Sequence, residues 1–304
     1  MNLLKTLFGI VSTTLAVATH GSETAACNVL ALSGGGSFGA VEMGVLDGLV
    51  SAGQAPKTYD IITGISAGGL NTGFLSYYDS VDQALPEIYG IYSNITTPDI
   101  YKSDILGILT NWALYDTTPL KNTLARILTN KAPSNNPPLA MIGATNLNSS
   151  ALDVFIFGNK PIQEKIQILL ATSAIPFAFP PREVAGNLYV DGGVISSELI
   201  NQVLGQKPCA TFNITFINSH RKNSQNIVVN GFFSYISAVL HTVNEAWSSQ
   251  IAQFTTCPYP KGTINACYPT SAELDKYSIL DFDNGAILYS LGKQYHSCEA
   301  YPLC

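Results

Sequence analysis

Charge is scarce in this chain: Asp, Glu, Lys and Arg make up 12% of its 304 residues. The 15 basic residues form no block and are outnumbered by 21 acidic ones, for a net charge of −6. That balance argues against nucleic acid as a partner and supplies no strong pull toward an anionic membrane. No C-x-x-C pair or Cys/His cluster occurs, so a metal site is not expected, and no cofactor is expected either. Past the first twenty residues, no apolar run has the length of a transmembrane helix. Repeats and linkers are lacking as well, which points to one domain rather than several.

What the chain has instead is apolar mass. Hydrophobic residues reach 46%, enough for a sizeable core and against disorder. The opening "MNLLKTLFGIVSTTLAVATH" has one early lysine, a short apolar stretch and Ala16-Val17-Ala18 as a small-residue cleavage signal. Residues 1–18 therefore read as a secretory signal peptide, with 19–304 as the mature domain. Cys27, Cys209, Cys257, Cys267, Cys298 and Cys304 would all survive cleavage, an even count suited to an oxidising compartment. Four of them follow residue 250, so the C-terminal segment reads as stapled by disulfides; the sequence leaves their connectivity open, with buried free thiols as the alternative. Asn94, Asn148 and Asn213 each begin a glycosylation acceptor pattern, which favours the secretory route, to the cell exterior or the lumen of a vesicle.

Along the chain, strand-like and helix-like stretches alternate. "NVLALS" and "YDIITGIS" read as buried strands, and "SFGAVEMGVLDGLVSAG" and "AGGLNTGFLSYYDS" as the helices that follow them. Residues 82–130 read as helical with breaks near Pro98 and Pro119, and "APSNNPP" as a loop. "LAMIGATNL", "ALDVFIFG", "NLYVDGG" and "CATFNITFINS" read as strands, "IQEKIQILLATSA" and "SYISAVLHTVNEAWSSQIAQFTT" as helices. This alternation predicts an α/β fold with a mainly parallel sheet covered on both faces.

Gly34, Gly36 and Gly39 in "SGGGSFG" fit the spacing of a dinucleotide-binding loop. Such a loop needs an acidic residue near the tip of the second strand. Here the acid, Asp60, begins that strand, and its tip carries Gly64-Ile65-Ser66-Ala67-Gly68. That is G-x-S-x-G at a strand-to-helix turn, where flanking glycines permit a sharp bend that exposes a nucleophilic serine. The helix start beneath it favours an incipient alkoxide. Backbone N–H groups at Gly34, Gly35 and Gly36 then become donors for an oxyanion, on a loop that opens at the same sheet edge.

The serine needs a base. His20 lies near the cleavage point and His241 within the long amphipathic helix, while the order Ser66, Asp191, His220 keeps a histidine triad open. His296 is the fourth histidine. Asp191, before Gly192 and Gly193, reads either as a turn former or as a base whose pKa burial has raised. "DFDNG" from Asp281 has part of a calcium loop, but its glycine falls one position early and the twelfth place holds no glutamate.

"SGGGSFG", "GISAG", "ATSAIPFAFPP" and "DGG", in this order from about Asn28 to Val194, resemble the patatin-like phospholipase family. "LYDTTPLKNTL" and "MIGATNLNSS" resemble further family segments. The resemblance implies a three-layer α/β/α fold like the catalytic domain of cytosolic phospholipase A2. It implies a lipid acyl hydrolase with Ser66 as nucleophile, Asp191 as base and Gly34, Gly35 and Gly36 as oxyanion hole, supported by Gly39, Gly64, Gly68, Gly192 and Gly193. The expected partner is a lipid at a membrane or micelle surface. Phe38 stands where the family usually has a basic residue linked to phosphate-bearing substrates, and "DGGVISSEL" lacks the Asn-Pro with which the family often continues after the aspartate. Phe38, Phe177 and Phe179 are expected to line the substrate cleft, with core packing as the alternative for the last two. A storage or lipid-binding protein on the same fold, or an esterase with a histidine triad, are the rival readings.

Overall fold

A computed structural model of the chain describes residues 26–204, 209–222, 239, 242 and 261–303. The signal segment, the stretch 234–256 read as an amphipathic helix apart from residues 239 and 242, His20, His241, Cys257 and Cys304 lie outside the described residues.

The described elements run β1 (Cys27–Leu32), α1 (Gly39–Ser51), β2 (Ile61–Ile65), α2 (Ala67–Leu75), α3 (Val81–Asn94), α4 (Thr97–Ile100) and β3 (Lys102–Ser103). Then come α5 (Gly107–Thr110), β4 (Tyr115–Asp116), α6 (Thr118–Leu128), β5 (Leu139–Asn146), β6 (Ala151–Ile156), α7 (Ile162–Thr172), β7 (Arg182–Val184) and β8 (Asn187–Asp191). The chain closes with α8 (Ile200–Val203), β9 (Thr211–Ile217), β10 (Lys261–Pro269), α9 (Gly285–Gln294) and β11 (His296–Leu303).

Among the described residues a sheet of nine strands carries the fold, in the order β11-β10-β9-β1-β2-β5-β8-β7 with β6 also on β5. Its centre, β10-β9-β1-β2-β5, is parallel; the flanking pairs are antiparallel, with helices on both sides. The central strands read as unbroken apolar runs because both their faces are buried. In β1, Leu30 and Leu32 face a core beneath α1, while Val29 and Ala31 join Ile61, Met141 and Val203 on the other side. Asp60, just ahead of β2, takes the N–H of Asn28 on Oδ2 at 3.0 Å and so ties the starts of the two strands together.

One expectation needs correcting. Within 82–130, residues 101–116 are not helical apart from one turn: β3 and β4 form a two-stranded ribbon around α5. Pro98 and Pro119 sit in the first turns of α4 and α6, where a missing N–H costs nothing, so they open helices rather than break one.

Two disulfides link described residues. Cys27 bridges to Cys209, 182 positions away, joining the start of β1 to the approach of β9. Cys267 bridges to Cys298, its cross-strand partner between β10 and β11, so the C-terminal segment is stapled as expected. A bridge closing so long a loop removes much freedom from the unfolded chain. The double replacement Cys27→Ser/Cys209→Ser is expected to lower stability by roughly 2–5 kcal/mol, read from denaturant unfolding under non-reducing conditions.

Candidate active site

The register of β5 creates the site. β6 occupies one edge of β5 along Met141–Asn146, so β2 and β8 must share the other. β2 runs parallel to β5 as far as Ile65 opposite Gly143; β8 arrives antiparallel, with Asp191 opposite Ala144. The two strands therefore meet tip to tip along one edge, and the residues at the meeting point are Ser66 and Asp191. Gly192 fits into the junction because a Cβ there would lie 2.8 Å from both the Gly143 carbonyl oxygen and Ile65 Cγ2.

Ser66 sits at φ 55, a backbone conformation costly for any residue with a Cβ, and α2 starts directly after it. Its N–H donates to Thr172 Oγ1 at 2.9 Å, and Thr172 Oγ1 donates to the Gly143 carbonyl at 2.6 Å. This threonine at the end of α7 braces the elbow. Gly64 admits the close pass between β2 and α2, and Gly68 that between α2 and the end of β1, since a Cβ on Gly64 would stand 2.7 Å from Thr72 Oγ1 and one on Gly68 would strike the backbone of Leu32 and Ser33.

Asp191 is buried. Its N–H donates to the Ala174 carbonyl at 2.9 Å, and its Oδ1 accepts the Gly193 N–H at 2.8 Å. Burial pushes its pKa from 3.8 up to about 7, with smaller opposing pulls from the Ser66 hydroxyl and the Gly193 N–H. Oδ2 has no hydrogen bond of ordinary length and angle, so the hydroxyl stands near the carboxylate without yet closing on it. Such bonds are commonly loose before substrate arrives.

The glycine loop follows β1, the parallel neighbour of β2, and opens at the same sheet edge. Gly34 lies against Ser66, with a Cβ there falling 2.7 Å from Ser66 Cβ and 3.4 Å from its Oγ. Among the described residues, the N–H groups of Gly34, Gly35 and Gly36 have no acceptor. Gly36, at φ 57, turns the loop into the helical segment that begins α1. Gly39 packs against Ala67, where a Cβ would approach to 2.9 Å.

A buried polar network, for which sequence reading gave no signal, holds this loop in place. Ser33 Oγ donates to Glu42 Oε1 at 3.1 Å and accepts the Ser219 N–H at 2.9 Å. Asn71 Nδ2 donates to Glu42 Oε2 at 3.1 Å, and Tyr92 donates to Asn71 Oδ1 at 2.8 Å. Desolvation drives the Glu42 carboxyl well above its ordinary pKa, against the smaller pull of the hydrogen bonds from Asn71 and Ser33. Loop, α1, α2, α3 and the end of β9 are thereby linked.

The described histidines have other associations. His220 Nδ1 pairs with Ser219 Oγ at 2.8 Å, and its ring lies 5.4 Å from that of Phe38. His296 Nδ1 pairs with the Gly292 carbonyl at 3.0 Å. Of the three phenylalanines expected to line a cleft, Phe38 is buried against His220, and Phe179 is buried among Tyr101 and Tyr115; core packing accounts for both. Phe177 opens on a surface groove. Asn94, Asn148 and Asn213 all have exposed side chains.

A separate apolar cavity starts at Gly36 and Ala67, beside the elbow, and runs between α2, α3 and α6. Leu70, Phe74, Ile88, Leu124 and Leu169 are among its walls. Two open hollows elsewhere, one bounded by α3 and α6 and one by α1, α3 and α9, contain neither Ser66 nor Asp191.

Residues 30–204 match the model of the patatin-like phospholipase family, more than half the chain. The chain belongs to this family. It is similar to the uncharacterized protein R571 of Acanthamoeba polyphaga mimivirus, 27% identical over 241 residues that cover 75% of this chain and 78% of the viral protein. Among solved structures it overlaps loosely with VipD from Legionella pneumophila (TM-score 0.41, 12% identity, 91% of this chain and 68% of that one). A second loose overlap is with the type III effector protein ExoU (TM-score 0.33, 9% identity), of which this chain spans 56% while 91% of its own length is covered. As a patatin-like phospholipase the protein falls among lipid hydrolases of the carboxylic-ester class.

Proposed function

We propose that the protein is a secreted or vesicular lipid acyl hydrolase working through a Ser66–Asp191 dyad. What carries this reading is a serine on a strained elbow, meeting a buried carboxyl whose pKa of about 7 suits a base at neutral pH. Ser66 Oγ attacks the ester carbonyl as Asp191 takes its proton, and the charge on the carbonyl oxygen falls to the N–H groups of Gly34, Gly35 and Gly36. The ester C–O bond breaks, and Asp191 returns the proton to the departing alcohol. Water then gives a proton to Asp191 and attacks the acyl carbon. The acyl–Ser66 bond breaks, and the proton goes back to Ser66.

The apolar cavity beginning at Gly36 and Ala67 has a volume of about 90 Å³, room for a few methylene groups, and its apolar walls support an acyl group as the part of the substrate that is held. Phe38, uncharged and buried, supports a head group that is not gripped by a cation at that position. The two disulfides are consistent with an oxidising compartment.

The test is product analysis by mass spectrometry on a mixed panel of phospholipid, galactolipid and triglyceride. Free fatty acid is expected from the wild type and not from Ser66→Ala; equal release from both overturns the reading. A fluorophosphonate probe should label Ser66 in the folded protein, and a chain it never labels would be an idle storage or lipid-binding homologue.

The triad alternative draws on His220, which lies beside the oxyanion loop. A general base contributes about 10²–10⁴ in rate. His220→Ala and His296→Ala are each expected to keep kcat/KM for a p-nitrophenyl ester within about tenfold of the wild type. A hundredfold collapse at His220 would favour the triad.

A further inference from the structure

The ribbon around α5 carries the most exposed apolar side chains of the described residues. Ile105, Leu106 and Leu109 are 77%, 76% and 81% exposed, and Trp112 and Phe177 are each 65% exposed. A single exposed leucine is ordinary; five large apolar side chains on one short loop and its neighbour form a patch that calls for a partner. Between Asp104 and Asp116 no residue is charged, and none is charged across 173–181. Asp104 is engaged by the Gly107 N–H at 3.0 Å, and Asp116 pairs with Lys102 at 3.1 Å.

Two features show that this exposure is built in. Trp112 and Phe177 have φ of 58 and 65, conformations that cost energy in residues with a Cβ and persist where the surroundings enforce them. The enforcing contacts are local: the Leu114 N–H donates to the Phe177 carbonyl and the Tyr115 N–H to the Ala178 carbonyl, both at 3.0 Å. Beneath, Tyr115 lies against Tyr101, their ring centroids 4.3 Å apart, and Tyr101 lies 6.3 Å from Phe282, which lines the apolar cavity. The patch also adjoins the catalytic edge. Phe177 is three residues from Ala174, whose carbonyl anchors Asp191, which limits the Cα separation to about 11 Å.

We propose that Ile105, Leu106, Leu109, Trp112 and Phe177 form a docking surface that inserts into the outer layer of an uncharged or zwitterionic lipid bilayer and presents the site to its substrate. This deepens the hydrolase reading and rests on it. The occupant is a bilayer rather than a folded protein because the side chains project instead of lining a closed pocket, because the loop lacks the charges that set protein partner specificity, and because a Trp beside aliphatics suits the membrane interface. Adhesion of this kind draws on apolar burial, so salt does not weaken it.

The experiment uses the full chain with Ser66→Ala, so that no lipid is consumed, and with Trp247→Phe, which leaves Trp112 as the sole tryptophan. On adding phosphatidylcholine vesicles, Trp112 emission should shift to the blue and be quenched by lipids brominated in the upper acyl chain, equally at low and high salt. In the otherwise native chain, Leu106→Ser/Leu109→Ser/Trp112→Ala should lower vesicle partitioning about 100-fold while kcat/KM for a soluble short-chain ester stays within threefold. Leu109→Ser alone should give a smaller loss of the same kind.

An unchanged Trp112 spectrum, binding confined to anionic vesicles and abolished by salt, or a wild-type dimer that dissociates on the triple replacement would each overturn the docking surface. None of these touches the hydrolase reading, which fails instead if Ser66→Ala still turns over soluble ester.

Discussion

Replacing Ser66 with alanine is expected to reduce ester turnover by about 10⁵-fold, leaving what the oxyanion donors and binding alone provide. The chain should remain folded. Ser66 accepts no structural burden through its hydroxyl beyond the loose approach to Asp191, and its backbone N–H keeps the bond to Thr172 whatever the side chain. The measurement is initial rate on a soluble p-nitrophenyl ester and on dispersed phospholipid, beside thermal unfolding. Ser66→Gly separates chemistry from strain. Glycine adopts φ 55 freely, so this variant should be equally inactive but more stable than the wild type by about 1 kcal/mol. A Ser66→Ala protein with full turnover would remove the nucleophile from the proposal altogether.

The second large effect concerns pH. Asp191 must be ionised to accept the proton of Ser66, and burial raises its pKa to about 7. kcat/KM should therefore climb about tenfold per pH unit below 7 and level off above it. Asp191→Asn should lose about 10⁴-fold in kcat and the acid limb together. Its stability should move the other way. The folded chain binds a proton at Asp191 more tightly than the unfolded chain, whose aspartate titrates near its ordinary 3.8. Stability contributed by that proton is complete below about pH 4 and is lost as pH rises through about 7. Asparagine, which carries no charge to bury, should accordingly make the protein more stable than wild type at pH 8 by an order of a few kcal/mol, and by little at pH 4. A variant both active and without the acid limb would move the base elsewhere.

How much of this could be read from the residues varies by element. β1 and β2 were legible because parallel strands buried on both faces appear as unbroken apolar runs, and the elbow because glycines flank a serine between strand and helix. The loop 101–116 was not. Its leucines and isoleucines recur at spacings that suit a buried helix, and nothing local says that they point to solvent. Glu42 and Asn71 look like ordinary helix residues, and their burial follows only from where α1 and α2 cross the glycine loop. Thr172 sits inside a recognised motif but has no signature as a brace. The pairing of Asp191 with Ser66 is the instructive case: each residue was visible, whereas their meeting depends on the unequal lengths of β2 and β5.

That inequality makes the enzyme a matter of counting. Because side chains alternate along a strand, sliding β8 by one position against β5 would turn the carboxylate to the opposite face of the sheet, and sliding it by two would carry it about 7 Å along its neighbour. An insertion between Gly143 and the Asn146–Ala151 turn, or between Val184 and Asp191, would shift this register. Any redesign that grafts new specificity onto the scaffold therefore has to leave the registers of β2 and β8 on β5 untouched.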